Sequence, residues 1–298
     1  MKRNFIQKLP PYLLFSFMVH TAKIWNDKLF LKIVFPLRVG YRLNLENPKT
    51  FNEKLQWLKL HNRKLIMTSM VDKVEAKKIA ASIIGEQYII PTINVYNTVE
   101  EIDWATLPNR FVLKCTHDSG GIVICRDKAK LDINRAKKKL KKGLATSYFL
   151  RNREWPYKSV NPRIIAEPYL EDSVTKELRD YKFFCFNGCP KAMYVATDRF
   201  GGSEETKFDF YDMNFNHLPF VNAHPNSTKQ INKPAQFDLM KKLASKLSLG
   251  HPHLRVDFYE VDGRVFFGEM TFYHMSGMSP FVPKEWDYIF GNWLQLPK

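Results

Sequence analysis

The chain has 298 residues, of which 45% are hydrophobic and 26% charged, so it can bury a core and is not expected to be disordered. Its formal net charge of +16 favours anionic partners, which include nucleic acid, anionic lipid, acidic polysaccharide and nucleotide. The four cysteines are too few for a disulfide framework, and they predict a reduced, cytoplasmic protein.

The N-terminus carries basic residues and then an apolar stretch from Tyr12 to Val19. This stretch is shorter than the ~20 residues that a membrane-spanning helix needs. No small-residue cleavage site follows it, so the pattern does not predict a signal peptide. Two interpretations stay open, a helix packed on the protein body and an interfacial helix at the inner face of the cell membrane.

Helical spacing of apolar residues predicts helices over 51–66, 71–85, 132–143 and 236–250. Strands are predicted within 88–96, 110–127, 163–170, 179–199, 207–218 and 255–270. The pair Asn187-Gly188 marks a tight hairpin turn within 179–199. Helices come first and strands interrupted by helices follow, so the predicted fold class is α+β.

The densest basic run is "RAKKKLKKG", residues 135–143, in which Ala136 and Leu140 continue a helical apolar spacing that begins at Ile133. The run predicts an amphipathic helix that ends near Gly143. Its charged face is either simply solvated or a contact for a membrane or an anionic polymer.

The stretch "KCTHDSGG", Lys114 to Gly121, places a lysine at the end of one strand and two glycines before the next strand. Backbone N–H groups of a glycine-containing turn can bind an anion, and a lysine adds a point charge. The pattern therefore favours a flap over phosphates as much as it favours a plain hairpin with a bulged turn.

The stretch "RVDFYEVDGRVFFGEM", residues 255–270, is predicted to form a hairpin around Asp262-Gly263. A three-residue turn, 262–264, would pair Asp257 with Glu269, whereas a two-residue turn would place them on opposite faces. Two neighbouring carboxylates repel unless a cation lies between them, and a divalent metal would supply it. The alternative is that Arg255 satisfies one carboxylate while the other faces water.

These pieces together resemble the ATP-grasp superfamily, and within it the TupA-like branch, named for teichuronopeptide biosynthesis and found in bacterial surface-polysaccharide gene clusters. The resemblance lies in "FNEKLQWLK", "VDKVEAKKIAASIIGEQYIIP", "LPNRFVLKCTHDSGG", "RIIAEPYL", "RDYKFFCFNG" and "RVDFYEVDGRVFFGEMTFYHMSGMSPF", within residues 51–282. It implies an ATP-grasp fold in which two α+β lobes hold ATP, with a helical region before them. The expected segments are a helical N-terminal segment over 1–50, an N-terminal lobe over 51–110, a small lobe over 111–170 and a large lobe over 171–298.

The resemblance also assigns residues to the nucleotide. The phosphate-binding residues would be Lys73 and Lys114, with a loop over them that contains Thr116, His117, Ser119, Gly120 and Gly121. The adenosine would be held by Glu167, Pro168, Tyr169 and Leu170, and Asp180 and Lys182 would face the nucleotide from one side of a strand. From local sequence alone, Glu167 is a surface residue at a strand exit, and Asp180 and Lys182 are members of a cross-strand ion pair.

The implied metal ligands are Asp257, Glu269 and Thr271, with Thr271 at the place where many ATP-grasp proteins have Asn. Lys114 and Arg255 are the expected catalytic residues, and we expect Arg255 to hold the substrate carboxylate or an acyl phosphate. The implied activity is an ATP- and Mg²⁺-dependent carboxylate–amine ligase acting on an acidic sugar or amino acid in surface-polysaccharide synthesis. Two other functions remain open: a glycosyl or kinase-like transferase, and a binder of polyanions without activity. Binding of nucleic acid is not expected, because no known binding motif is present.

Overall fold

The computed structural model describes residues 11–118, 120–174, 176–198 and 205–297. The helices are α1 Pro11–His20, α2 Asp27–Val39, α3 Phe51–His61, α4 Ile66–Val71, α5 Lys73–Ile84, α6 Ile133–Leu144, α7 Tyr148–Asn152, α8 Phe237–Ser248 and α9 Glu285–Trp293. The strands are β1 Asn94–Tyr96, β2 Phe111–Cys115, β3 Ile122–Cys125, β4 Ile164–Pro168, β5 Asp180–Phe186, β6 Cys189–Thr197, β7 Lys207–Asp212, β8 Val221–Asn222, β9 Leu254–Val261, β10 Arg264–Thr271 and β11 Phe281–Val282. This mixture confirms the predicted α+β class.

Two antiparallel sheets organise the described residues. The small sheet has the strand order β1-β4-β2-β3, and the large sheet has the order β10-β9-β5-β6-β7. The outer face of the small sheet packs on α6 through Ala136 and Leu140, while the large sheet shares a core with α3, α5, α8 and α9. The predicted basic helix therefore has a buried apolar side, and its charged side faces solvent.

Local sequence signals explain several element boundaries. The Asp72 side chain accepts hydrogen bonds from the backbone N–H groups of Val74 and Glu75, so it caps α5 as its residue type predicts. Asn187 and Gly188 both have positive φ, at 48° and 79°, as the predicted tight turn between β5 and β6 requires.

Two predicted elements are shorter than expected. The predicted helix over 51–66 ends at His61, and a separate helix begins at Ile66. The predicted strand over 88–96 is reduced to β1, and Ile89 makes only an isolated bridge to Phe267. Pro91 lies between these two pieces and has no N–H to donate to a strand ladder, so it interrupts the pairing.

The N-terminal helix α1 packs on α2, and Met18 is buried between them, while Leu13 and Phe17 are exposed. The basic residues at positions 2, 3 and 8 lie outside the described residues. Among the described residues, no helix has both the length and the apolar character needed to cross a membrane.

The small sheet draws its strands from a longer part of the chain than the predicted small lobe. Strand β1, at 94–96, precedes the expected boundary at residue 110 and pairs with β4 in register Val95–Ile165. The predicted segment boundaries stay predictions, and the sheet shows only that strands from both sides of position 110 join.

Candidate active site

A cavity of about 440 Å³ lies between the two sheets, within the range of small-molecule sites. The small sheet and α5 supply one wall, which we call the small-sheet wall, with Lys73, Lys77, Val112, Lys114, Ile122, Ile124 and Glu167. The large sheet supplies the other wall, the large-sheet wall, with Asp180, Lys182, Tyr259, Phe267, Gly268 and Glu269. The residues Pro168, Tyr169 and Leu170 close the space between them.

Strand alternation places Lys114 in the cavity. Leu113 and Cys115 are buried in the core on the α6 side, so Val112 and Lys114 face the other way. Lys114 Nζ lies 2.6 Å from Glu167 Oε2, and Lys77 Nζ lies 2.7 Å from Glu167 Oε1. One buried carboxylate thus holds two ammonium groups, and the cluster keeps a net positive charge.

The ion pairs of this cluster favour the charged forms of Glu167 and Lys114, whereas burial lowers the pKa of Lys77 although Glu167 opposes this shift. Burial alone would raise the pKa of Glu167, but the ammonium groups of Lys114 and Lys77 outweigh burial and lower this pKa to about 2. Burial opposes the charge of Lys114, yet Glu167 holds the pKa of Lys114 above its ordinary value. The small-sheet wall is therefore positive at neutral pH.

Glu167 is buried and is not an exposed residue at the end of a strand. It is buried inside β4, opposite Val112 of β2, and each of its oxygens accepts a hydrogen bond from a lysine. The surface position expected from local sequence is therefore wrong, because the neighbouring strand and α5 cover it. As placed, Glu167 orients two lysines, and its predicted contact with adenosine stays untested.

Lys77 is the residue of this wall that the sequence analysis missed. It lies one helical turn after Lys73 on α5, and both side chains line the cavity. The i, i+4 spacing of the two lysines was the available signal, since such residues share one face of a helix.

The loop between β2 and β3 packs tightly against its surroundings. Lys73 Nζ donates a hydrogen bond to the Asp118 carbonyl oxygen, and the Asp118 carboxylate accepts one from the Gly121 N–H. A Cβ at Gly121 would lie 2.5 Å from Cys115 Sγ, so only glycine fits this turn. The loop thus closes back on its own strand and brings Lys73, Asp118 and Gly121 to the cavity.

Not every predicted loop residue reaches the cavity. Thr116 and His117 are buried behind it, where the Thr116 carbonyl oxygen accepts from the Lys73 N–H and His117 contacts the Thr146 carbonyl oxygen. Gly120 does not line the cavity, although the space beside it is open, and Ser119 lies outside the described residues. Contacts of these four residues with a nucleotide therefore remain predictions.

The β9–β10 hairpin places the two predicted carboxylates opposite each other, but its turn length differs from the prediction. The turn has two residues, Asp262 and Gly263, both with positive φ, and the predicted three-residue turn is wrong. The extra residue is Gly268, a bulge that shifts the register so that Glu269 lies opposite Asp257. A Cβ at Gly268 would lie 3.0 Å from the Asp257 carbonyl oxygen, which favours glycine at the bulge.

Asp257 and Glu269 differ in their surroundings. The Asp257 side chain is 1% exposed, and its two oxygens accept hydrogen bonds from Arg255, at 2.8 and 2.7 Å, and from Lys182. The Glu269 side chain is 42% exposed and lies 3.1 Å from Arg255 Nη2. Arg255 therefore pairs with the buried Asp257, as the alternative expects, but it also donates a hydrogen bond to the partly exposed Glu269.

Burial would raise the pKa of Asp257, but Arg255 and Lys182 overcome it and hold that pKa well below its usual range. Lys182 also lies 3.3 Å from Asp180 Oδ1, on the same strand. The large-sheet wall therefore balances its lysine and arginine with carboxylates, unlike the small-sheet wall.

Arg255 is fixed from behind by a buried chain of hydrogen bonds. Arg255 Nη1 donates to His274 Nδ1, and His274 Nε2 donates to the Asn222 side-chain oxygen. Since arginine can only donate, Nδ1 must be the unprotonated nitrogen, which fixes the tautomer of His274. Asn222 was not predicted, because it lies on β8, far from the hairpin in sequence.

The donor atoms on the large-sheet wall suit a magnesium ion, because Asp257, Glu269 and Thr271 all offer oxygen. Only Glu269 is exposed to the cavity, since Asp257 is enclosed by Arg255 and Lys182, and the Thr271 hydroxyl accepts from Arg255. No group of three His, Cys, Asp or Glu residues among the described residues could hold a metal by itself. The residues therefore fit a Mg²⁺ ion that keeps water and phosphate ligands and takes Glu269 as its accessible protein ligand.

Part of the cavity lining is apolar. This part includes Ile90, Ile124, Leu170, Leu178 and Phe267. The Tyr169 ring beside them lies 4.4 Å from the Arg110 guanidinium carbon. An apolar slot next to a positive wall is suited to a molecule with a flat ring at one end and anionic groups at the other.

Comparison with known proteins identifies the family of this chain. A family model described as TupA-like ATPgrasp matches residues 53–295. No curated protein matches the chain.

Similar solved structures include three ligases. D-alanine–D-alanine ligase from Bacillus anthracis, complexed with ATP, shares 16% identity at a TM-score of 0.41 over 68% of this chain and 54% of that one. An L-amino acid ligase from Bacillus licheniformis shares 12% identity at a TM-score of 0.45, over 76% of this chain and 49% of that one. D-alanine–D-alanine ligase from Helicobacter pylori shares 13% identity at a TM-score of 0.42, over 83% of this chain and 69% of that one. This chain thus spans about half the length of the first two. Because the family match runs over most of the chain, this protein belongs to the TupA-like ATP-grasp family.

Proposed function

We propose that this protein is an ATP- and Mg²⁺-dependent ligase that joins a carboxylate to an amine. The observation that carries the proposal is the pairing of two unlike walls across one cavity. On the small-sheet wall, Lys77 and Lys114 share Glu167 and Lys73 contacts the Asp118 carbonyl oxygen, while the large-sheet wall presents Glu269 next to Arg255. Such a pair suits a polyphosphate that carries a divalent cation.

The proposed reaction has two stages. An oxygen of the substrate carboxylate attacks the terminal phosphorus of ATP, which releases ADP and leaves an acyl phosphate. The amine nitrogen then attacks the acyl carbon, inorganic phosphate leaves, and the amine gives up a proton to solvent. Family membership supports this reaction class, and the cavity supplies groups suited to each stage.

The side chains of the cavity act mainly through charge and position. Lys73 and Lys114 neutralise the negative charge that spreads over the transferring phosphoryl group. Arg255 is held by Asp257 and His274, so its guanidinium is fixed beside Glu269, where it can orient an incoming carboxylate or acyl phosphate. Glu269 would hold a Mg²⁺ ion, which would supply further neutralisation of phosphate charge.

We further propose that the substrates belong to the synthesis of a bacterial surface polysaccharide, with an acidic sugar or an amino acid as the carboxylate. Two observations support this class: the branch to which the chain belongs, and its net charge of +16. A basic surface attracts an acidic acceptor electrostatically.

The first test is ATP binding by the purified protein with and without Mg²⁺, comparing the wild type with Glu269→Gln. Glu46→Gln is the matched control, because Glu46 is an exposed carboxylate that does not line the cavity. We expect Mg²⁺ to strengthen ATP binding in the wild type and the control but not in Glu269→Gln. Absence of ATP binding under every metal condition would overturn the proposal.

The second test identifies the reaction class. Pairs of acids and amines are screened for release of both ADP and inorganic phosphate. A ligase releases the two in equal amounts, whereas a kinase-like transferase releases ADP and keeps the phosphate on its product. Release of ADP without inorganic phosphate would mean that the reaction is phosphoryl transfer and not ligation.

A further inference from the structure

A second groove runs beside the open edge of the small sheet. Strand β3 is the last strand in the order β1-β4-β2-β3, and among the described strands it pairs only with β2. The groove beside it is lined mainly by Ile124, Arg126, Lys130, Leu131, Arg135 and Lys139. It thus combines an unpaired strand edge with basic side chains from the β3–α6 connection and from α6 itself.

The charge of this groove is strongly positive. Arg126, Lys130, Arg135 and Lys139 face a single carboxylate, Asp127, which lies 3.7 Å from Lys130 Nζ. Arg135 and Lys139 are exposed, one helical turn apart, and neither has an ion-pair partner among the described residues. Arg135 and Lys139 therefore carry a positive charge that no carboxylate among the described residues balances.

An unpaired strand edge offers backbone N–H and C=O groups to another strand. Peptides in an extended conformation use such edges, with main-chain hydrogen bonds giving affinity and alternate side chains giving specificity. Here the side chains next to the edge are basic, so the matching strand is acidic. A polysaccharide would match the charge but not the row of backbone groups.

The groove and the cavity share part of their lining. Ile124 and Arg126 line both, and Arg126 Nε donates a hydrogen bond to Tyr169 Oη at 3.0 Å. A chain that lies along β3 would therefore contact residues that also line the cavity. This contact leaves Lys73, Lys114 and Glu269 free for the nucleotide.

We propose that this groove binds an acidic peptide segment as an added strand on β3 and so tethers a substrate chain next to the cavity. The role as a substrate tether rests on the proposed ligase function, whereas the binding itself does not. The ligand class is an extended peptide with acidic residues at every second position, because alternate side chains of a strand share one face.

The test uses a fluorescent decapeptide of alternating Glu and Thr, with its dissociation constant measured by anisotropy in the absence of nucleotide. The groove variant is Arg135→Glu/Lys139→Glu. The control is Lys138→Glu/Lys142→Glu, which has the same charge change and the same spacing on the same helix but lies outside the groove. We expect the groove variant to weaken binding at least tenfold and the control to weaken it less than threefold.

Backbone methylation separates strand addition from attraction by charge alone. Two forms of the peptide carry N-methyl groups, one on every Glu nitrogen and the other on every Thr nitrogen. On a strand edge, one alternate set of N–H groups points at β3 and the other points away. We expect one form to bind at least tenfold more weakly than the other.

Several results would overturn the proposal. Equal loss of binding in the two variants would assign the affinity to the general charge of the protein. Equal binding of the two methylated forms, or displacement of the peptide by polygalacturonate at the same charge concentration, would assign the groove to any polyanion. Absence of peptide binding would mean that the basic residues only protect the strand edge. ATP binding is measured separately, so failure of the ligase proposal and failure of this one remain distinguishable.

Discussion

The two walls of the cavity are built from the same kinds of residue but differ in charge balance. On the small-sheet wall, Glu167 is held by two lysines, and the cluster is positive. On the large-sheet wall, Arg255 and Lys182 enclose Asp257, and Glu269 remains exposed at the edge of that cluster. The two walls therefore differ in the ratio of carboxylates to cationic side chains. A low ratio favours binding of phosphate, and a high ratio favours binding of a metal ion.

We expect the largest loss of stability when the large-sheet cluster loses its buried carboxylate, Asp257. Replacing Asp257 by Asn removes the buried carboxylate that Arg255 and Lys182 share and leaves them only Glu269 and Asp180 as counter-charges, which should cost roughly 3–5 kcal/mol of unfolding free energy. Urea unfolding of Asp257→Asn and Glu269→Gln measures the contrast, because both changes remove one charge at constant shape. Since Glu269 is half-exposed, its loss should cost less than about 1 kcal/mol. Equal costs for the two variants would contradict the difference in burial.

The second prediction uses pH to break the small-sheet cluster. The pKa of Glu167 is lowered from its ordinary 4.5 to about 2, so its contribution to stability is complete above pH 4.5 and disappears as the pH falls towards 2. The contribution is roughly 3 kcal/mol, from about 1.4 kcal/mol per pKa unit.

The measurement is the difference in unfolding free energy between the wild type and Glu167→Gln as a function of pH. This difference should shrink between pH 4.5 and pH 2. In the control Glu171→Gln, which affects an exposed pair with Arg110, the difference should stay small throughout. A constant difference for Glu167→Gln would show that its ion pairs do not govern its pKa.

ATP binding should distinguish the two walls, because a variant of each wall is expected to depend differently on Mg²⁺. Lys114→Met should weaken ATP binding about 30-fold with or without Mg²⁺, since a charge-assisted hydrogen bond contributes roughly 2 kcal/mol. Glu269→Gln should weaken binding only when Mg²⁺ is present. Titration calorimetry at both metal conditions separates the two patterns. Identical metal dependence in both variants would mean that the two walls do not divide phosphate and metal between them.

The smallest effect concerns Thr271. Its hydroxyl accepts a hydrogen bond from Arg255 Nη2 at 3.0 Å, so Thr271→Ala should cost about 1 kcal/mol of stability. We expect the Mg²⁺ dependence of ATP binding to change less than threefold, measured by titration of the metal at fixed ATP. A tenfold weaker response to Mg²⁺ would instead support the role as a metal ligand that the family resemblance implies.

Much of the cavity could be predicted because its residues follow short local rules. Strand alternation brings Lys114 to the cavity and, after the Gly268 bulge, places Asp257 opposite Glu269. Other features needed information that no local pattern carries. The enclosure of Glu167 by Lys77 depends on α5 packing across β4, and the hydrogen bond between His274 and Asn222 joins residues that are 52 positions apart in sequence.

Local patterns in the sequence were sufficient to predict the α+β class, the hairpin at Asn187-Gly188, the amphipathic character of α6 and the residue types that line the cavity. These features depend on periodicity, turn chemistry and side-chain charge, which are properties of neighbouring residues. The burial of Asp257 rather than Glu269, and the set of loop residues that face the cavity, could be seen only in the tertiary structure. Those outcomes depend on how the two sheets and α5 pack together, and that packing sets the desolvation and ion pairing of each charge.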